Sequence, residues 1–149
     1  MKKQKIPVRR LTFGIKFFPL DPGQSLLEEQ TRYLFTLQVK NQLRRNMLAC
    51  NDSMKCFLAA CLVQSEFGDF DEADEVCSNT DYITELNILP PGSDSSLLEQ
   101  VKKFHRQRQG QAPFESDFAL LEKVKQIETY GAAPVEARDG HQGECPRDF

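Results

Sequence analysis

The stretch Ser25–Arg45, SLLEEQTRYLFTLQVKNQLRR, contains a helix start signal, a long apolar face and a basic end. Ser25 and Glu28 have the S-x-x-E spacing of a capping box, in which each side chain accepts a backbone N–H at the helix start. Glu28 and Glu29 favour the positive end of the helix dipole, and Arg44 and Arg45 the negative end. The apolar positions recur at three-, four- and seven-residue spacings and form a wide stripe: Leu27, Leu34, Phe35, Leu37, Val39 and Leu43. This pattern predicts a central helix that is packed on more than one side.

The composition indicates one main globular domain. The chain has 149 residues, 40% hydrophobic and 28% charged, with a formal net charge of -3 that gives no general reason to bind nucleic acid. No run of residues approaches the roughly 20 apolar residues that a membrane span needs. An odd number of cysteines without a C-x-x-C pair is typical of free thiols in a reducing compartment: Cys50, Cys56, Cys61, Cys77 and Cys145. We therefore expect a cytoplasmic protein without a transmembrane segment.

The segment before the central helix has the pattern of a half-buried strand. Leu11, Phe13, Ile15 and Phe17 alternate within residues 8–18, VRRLTFGIKFF. Nothing later in the sequence offers a second strand for pairing, so we expect an orphan strand with an apolar edge. Such an edge favours self-association.

Three more main helices are expected after the central one. The second runs from Ser53 to Phe67, with Asn51 or Asp52 as cap and Gly68 as stop. A long acidic connection with short helical turns follows, and a Ser96–Glu99 capping box then opens a helix through about Gln109. The last helix begins at Pro113 and is expected to end at Gly131, and the tail from residue 132 has no sustained period. The sequence therefore predicts a mostly α fold.

No residue pattern indicates catalysis, a metal or a cofactor. Neither histidine, His105 or His141, has a catalytic spacing, and no phosphate-binding loop or nucleophile elbow is present in the sequence. A calcium loop counted from Asp69 places Asp74 where glycine is required and Thr80 where the closing glutamate belongs. The third main helix carries a basic face, which is either a solvated surface or a contact for an acidic partner or a phosphoinositide. Its candidate contact residues, beside His105, are Lys102, Lys103, Arg106 and Arg108.

Four segments carry a family resemblance: FGIKFFPLDPG at 13–23, EEQTRYLFTLQVK at 28–40, VQSEFGDFDE at 63–72 and GQAPFESDFALLEKVKQIETYG at 110–131. In this order they resemble the FERM domain, named for band 4.1, ezrin, radixin and moesin. The likeness is strongest to the branch that contains the proteins with FERM, RhoGEF and pleckstrin domains and their relatives without the exchange domain. It implies that residues 1–20 end a ubiquitin-like first lobe and that 21–131 form a helical second lobe similar to the acyl-CoA-binding protein fold. Residues 132–149 would be a disordered tail without a third lobe, which suggests a truncated or alternatively spliced product.

The resemblance implies a non-catalytic adaptor at the membrane-associated cytoskeleton. FERM domains link membrane-protein tails and phosphoinositides to cortical actin, so the implied partners are membrane-protein tails, cytoskeletal proteins or anionic lipid. A first alternative is a truncated regulatory part of a Rho-family guanine-nucleotide exchange factor. A second is an acyl-CoA-binding helical module, suggested by fold analogy alone. Large inward residues are expected to fill the interior, so we predict no useful acyl-CoA binding.

Overall fold

The computed structural model describes residue 11 and residues 14–132, and the described part is helical. Four long helices carry the lobe, as the sequence predicts, and three short helices lie between or before them. In chain order the seven are α1 (Pro22–Ser25), α2 (Glu29–Arg44), α3 (Asp52–Phe67), α4 (Glu75–Ser78), α5 (Asp81–Glu85), α6 (Ser95–Arg106) and α7 (Pro113–Val124). The prediction of a mostly α fold is confirmed, and the tail from residue 133 lies outside the described residues.

The helix at the centre of the lobe is α3. It packs against α7, α6 and α2, and its buried residues point in every direction around its axis: Cys56, Leu58, Ala59, Ala60, Cys61, Leu62, Val63 and Gln64. Small side chains at Ala59, Ala60 and Cys61 allow the neighbouring helices to approach closely. A helix that is apolar all round is typical of the middle of a core.

The expectation that α2 is the central helix is wrong. Phe35, Val39 and Leu43 are buried as predicted, but Leu27, Leu34 and Leu37 are exposed. In α2 the buried side chains form a single face toward α3 and α7, so the other half of the apolar stripe meets solvent in the described structure. The spacing of the apolar residues correctly predicted one buried face of α2. It overestimated how many sides of the helix are covered by other elements.

The helix ends show where local signals decided the structure. Asn51 Oδ1 accepts the Met54 N–H at 2.9 Å and Gly68 ends α3, as predicted. Pro113 begins α7, and the Glu115 carboxylate accepts the Ala112 N–H at 2.8 Å. The last helix is shorter than expected, because α7 ends at Val124 and turns carry the chain to Gly131.

The two predicted S-x-x-E capping boxes are wrong. Pro22 starts a helix early, so Ser25 is the last residue of α1 rather than a cap. The break before α2 is held by the Arg32 side chain, whose Nε and Nη2 donate to the carbonyls of Leu26 and Leu27 at 2.6 and 3.4 Å. Likewise α6 begins at Ser95, which puts Ser96 inside the helix.

The predicted N-terminal strand is also wrong for the part that the structure describes. Residue 11 and residues 14–18 form no strand, since the described residues offer no second strand to pair with, and residues 8–10, 12 and 13 lie outside the described range. Phe18 instead packs edge-on against Phe35 and Tyr130, with ring centroids 5.8 and 5.3 Å apart. Leu11 and Phe17 are exposed, and the described part of this segment contacts the core through Ile15 and Phe18.

Candidate functional site

The predicted basic face of α6 is not a continuous exposed surface. Lys102 is only 9% exposed, and its Nζ donates to the Ser78 carbonyl at 2.9 Å. Arg106 is exposed, and its guanidinium lies 4.7 Å from the Phe70 ring centroid and 3.7 Å from Glu72 Oε1. These two cations therefore hold the acidic connection against α6.

Arg108 is also used inside the lobe. It is 7% exposed, its guanidinium lies 4.3 Å from the Phe57 ring centroid, and Nη1 donates to Gln111 Oε1 at 3.1 Å. A guanidinium stacked on an aromatic ring and desolvated in this way stabilises the packing of the turn after α6 against α3, which carries Phe57. Lys103 is consequently the one predicted contact residue that is exposed and has no ion pair among the described residues.

His105 lies in the core rather than on a basic surface. Its Nε2 is 2.8 Å from the Gly68 carbonyl oxygen, which can only accept, so Nε2 carries the hydrogen. Nδ1 then accepts the Tyr82 hydroxyl at 3.2 Å. Burial lowers the pKa of His105, because the charged imidazolium would be desolvated. The ring is a neutral cross-link between α6, α5 and the end of α3.

Asp69, the first residue of the tested calcium loop, has other partners. Its Oδ1 accepts hydrogen bonds from Gln64 Nε2 at 2.6 Å and from the Gly110 N–H at 2.8 Å. Both bonds lower the pKa of the Asp69 carboxyl, and the bond from Gln64 has the larger effect. Within the described residues no group of three or more His, Cys, Asp or Glu side chains is placed to hold a metal ion. None of the described helices is long and apolar enough to cross a membrane.

Two adjoining clefts at the N-terminal end of α3 are each lined by one lysine, Lys103 in the larger and Lys123 in the smaller. The larger, about 470 Å³, lies between Ser53 and the α6 residues Gln100, Lys103 and Phe104, with Gln107 just after the helix. The smaller, about 200 Å³, shares Ser53 and Phe104 and adds Asn51, Met54, Phe57 and Lys123. We call the two together the basic cleft.

The basic cleft combines positive charge with an aromatic floor. Phe57 and Phe104 pack edge to face with centroids 6.5 Å apart, and Lys123 Nζ lies 5.5 Å from the Phe57 centroid. A site lined by ammonium groups and apolar rings can receive an anionic group that carries an apolar neighbour. Sequence reasoning missed Lys123, because only the packing of α7 on α3 brings it to this site.

The fold is that of a helical lobe with a candidate binding cleft, and the comparisons with known proteins give its family. A family model described as the FERM central domain matches residues 21–135. The chain belongs to the FERM family, and the resemblance inferred from its sequence is confirmed. No enzymatic family is indicated.

Similar proteins carry the same domain within much longer chains. FERM domain-containing protein 7 of Mus musculus is 41% identical over 128 residues, which cover 86% of this chain and 17% of that protein. FERM, ARHGEF and pleckstrin domain-containing protein 1 of Gallus gallus is 42% identical over 130 residues, which cover 86% of this chain and 12% of that protein. The fold is similar to that in the crystal structure of the FERM and C-terminal domain complex of Drosophila Merlin, with a TM-score of 0.66, 22% identity, and coverage of 77% of this chain and 39% of that chain.

Proposed function

We propose that this chain is a non-catalytic FERM-type adaptor lobe that meets anionic lipid or an acidic membrane-protein tail through the basic cleft. In this role it links such partners to the cortical actin network, in the cytoplasm at the membrane-associated cytoskeleton. The observation that carries the proposal is the pair Lys103 and Lys123 beside the Phe57–Phe104 floor. Lys102 and Arg108 are occupied within the lobe, since Lys102 holds the acidic connection and Arg108 stacks on the Phe57 ring of the floor, so neither is assigned a contact with the partner.

The expected strength of this contact is modest. A lysine close to an anionic membrane surface contributes about 1 kcal/mol, so two lysines contribute about 2 kcal/mol, which is roughly a 30-fold change in binding. Exposed charges are screened over about 10 Å at 0.1 M salt, so the attraction weakens as salt is added.

Vesicle sedimentation tests the proposal. Lys103→Gln combined with Lys123→Gln removes both charges and keeps much of the apolar stems. Binding to phosphatidylcholine vesicles that contain phosphatidylinositol bisphosphate should fall about 30-fold. The matched control, Lys16→Gln with Arg44→Gln, removes the same charge outside the cleft and should change binding much less. Equal losses in the two double variants would mean that net charge, and not the cleft, attracts the membrane.

A regulatory part of a Rho-family exchange factor is the second candidate. It is favoured by the 42% identity to a relative whose name includes an ARHGEF domain. Sequencing of longer products from the same gene tests it: an exchange domain encoded after this lobe supports the candidate, and a gene without one excludes it.

A further inference from the structure

A separate cleft of about 220 Å³ lies between the first turns of α2 and α7, and we call it the α2–α7 cleft. Tyr33 and Phe114 line it, and each is 46% exposed. Glu29 and Asp117 add two carboxyl groups. The α2–α7 cleft shares no lining residue with the basic cleft and has the opposite chemistry.

Asp117 is an unusual lining residue because its carboxyl group is buried and incompletely bonded. The residue is 5% exposed, and its Oδ1 has no hydrogen-bond partner among the described residues. Burial raises the pKa of Asp117, a Ser65 hydrogen bond lowers it, and the charge of Glu66 raises it again. A buried acceptor without a partner is costly, and such groups concentrate at functional sites.

The cations near the α2–α7 cleft are already engaged. Arg32 donates to the carbonyls of Leu26 and Leu27 and lies 5.6 Å from the Phe118 ring centroid. Lys40 Nζ is 2.8 Å from Glu66 Oε2. Among the described residues no ion pair involves Glu29 or Asp117, so the cleft presents two carboxyl groups against one guanidinium that has other partners.

We propose that the α2–α7 cleft receives an arginine side chain of a partner protein. The guanidinium would meet Glu29 and Asp117 through charge-assisted hydrogen bonds and stack against Tyr33 and Phe114. Arginine fits better than lysine, because its planar group stacks on aromatic rings and is more weakly hydrated than an ammonium. The proposal goes beyond the adaptor function and does not depend on the basic cleft.

Nuclear magnetic resonance titration of the full chain with short peptides tests this assignment. The probe is a glycine pentapeptide with a central arginine, compared with the same peptide carrying citrulline, which has a similar shape and no charge. The arginine peptide should shift the amides of Tyr33 and Phe114 in a saturable way, and citrulline should bind about tenfold more weakly or worse. Equal binding of the two peptides, or shifts that map to α6, would overturn the proposal, and a lysine peptide that binds more tightly than arginine would overturn the choice of arginine.

Variants locate the binding groups. Asp117→Asn and Glu29→Gln should each weaken the arginine peptide about tenfold, whereas Glu85→Gln, an exposed acid on α5, should not. If Asp117→Asn fails to fold, Glu29→Gln decides, since Glu29 is exposed at the start of α2. Wild-type affinity in Glu29→Gln would refute the site.

Discussion

Leu62→Ala should show that α3 is the core of the lobe. Leu62 is fully buried in the middle of α3, and its replacement removes three carbon atoms where the surrounding helices cannot collapse fully. Such substitutions cost about 2 to 5 kcal/mol of unfolding free energy. The matched control is Leu37→Ala on α2, where 36% of the residue is exposed and alanine is an equal or better helix former. We expect the control to cost less than about 1.5 kcal/mol.

Urea unfolding followed by circular dichroism at the helix signal measures both variants. With a slope of about 2 kcal/mol per M urea, the Leu62→Ala midpoint should fall by about 1 to 2.5 M and the Leu37→Ala midpoint by less than about 0.8 M. An unchanged slope is needed to attribute the shift to stability. A Leu37→Ala loss equal to that of Leu62→Ala would refute the placement of α3 at the centre and would restore α2 to that role.

Four further predictions follow from particular contacts. Burial lowers the pKa of His105 in the fold, so the unfolded chain binds a proton first as pH falls below about 6.5. Stability should then be lost by up to about 1.4 kcal/mol per pH unit, and urea titrations at pH 7.5 and 5.5 should show a smaller loss in His105→Gln. Gly131→Ala should lower the unfolding free energy more than Gly110→Ala, because both have positive φ (77° and 82°) but only a Cβ at 131 would meet the Phe18 side chain, at 3.0 Å. Gly110→Ala alone should cost about 1 kcal/mol by the same measurement. Calorimetry should detect no saturable micromolar acyl-CoA binding, since the inward leucines and valines of α3 and α7 are fully buried. Self-association stays a prediction, and it rests on exposed apolar side chains such as Leu11 and Phe17 rather than on a strand edge. In sedimentation, the full chain should associate, and the chain without residues 1–19 should be a monomer of similar helicity. A monomeric full chain would contradict the prediction.

Much of the fold could be predicted because the decisive signals are local. Asn51 and Gly68 set the bounds of α3, and Pro113 starts α7, through backbone hydrogen bonds that depend on a few neighbouring residues. The centre of the lobe was harder to predict. The stretch FLAACLV at 57–63 is apolar on every side and indicates the centre of a core, but the apolar stripe of α2 is longer and predicts a larger buried face.

The candidate site could be predicted only in part, because long cationic side chains reach partners that are distant in sequence. Lys102 bonds to Ser78, and Lys123 joins the cleft through the packing of α7, so neither role is visible in the spacing of charges along one helix. His105 shares its helix turn with cations, yet the orientation of its ring is set by a hydrogen bond to the carbonyl of Gly68, 37 positions earlier. Local patterns therefore predicted the helices better than the functions of their polar residues.

The buried cysteines allow local opening of the lobe to be measured by thiol labelling. Burial raises the pKa of Cys56 to about 11 and that of Cys61 to about 12, and Cys77 is buried in α4 on the connection. A thiol reagent needs both access and thiolate, so each of these groups should be labelled only when its own surroundings open. In a chain with Cys50 and Cys145 replaced by serine, the labelling rate of Cys77 relative to those of Cys56 and Cys61 would tell whether the acidic connection detaches on its own or only when the whole lobe unfolds.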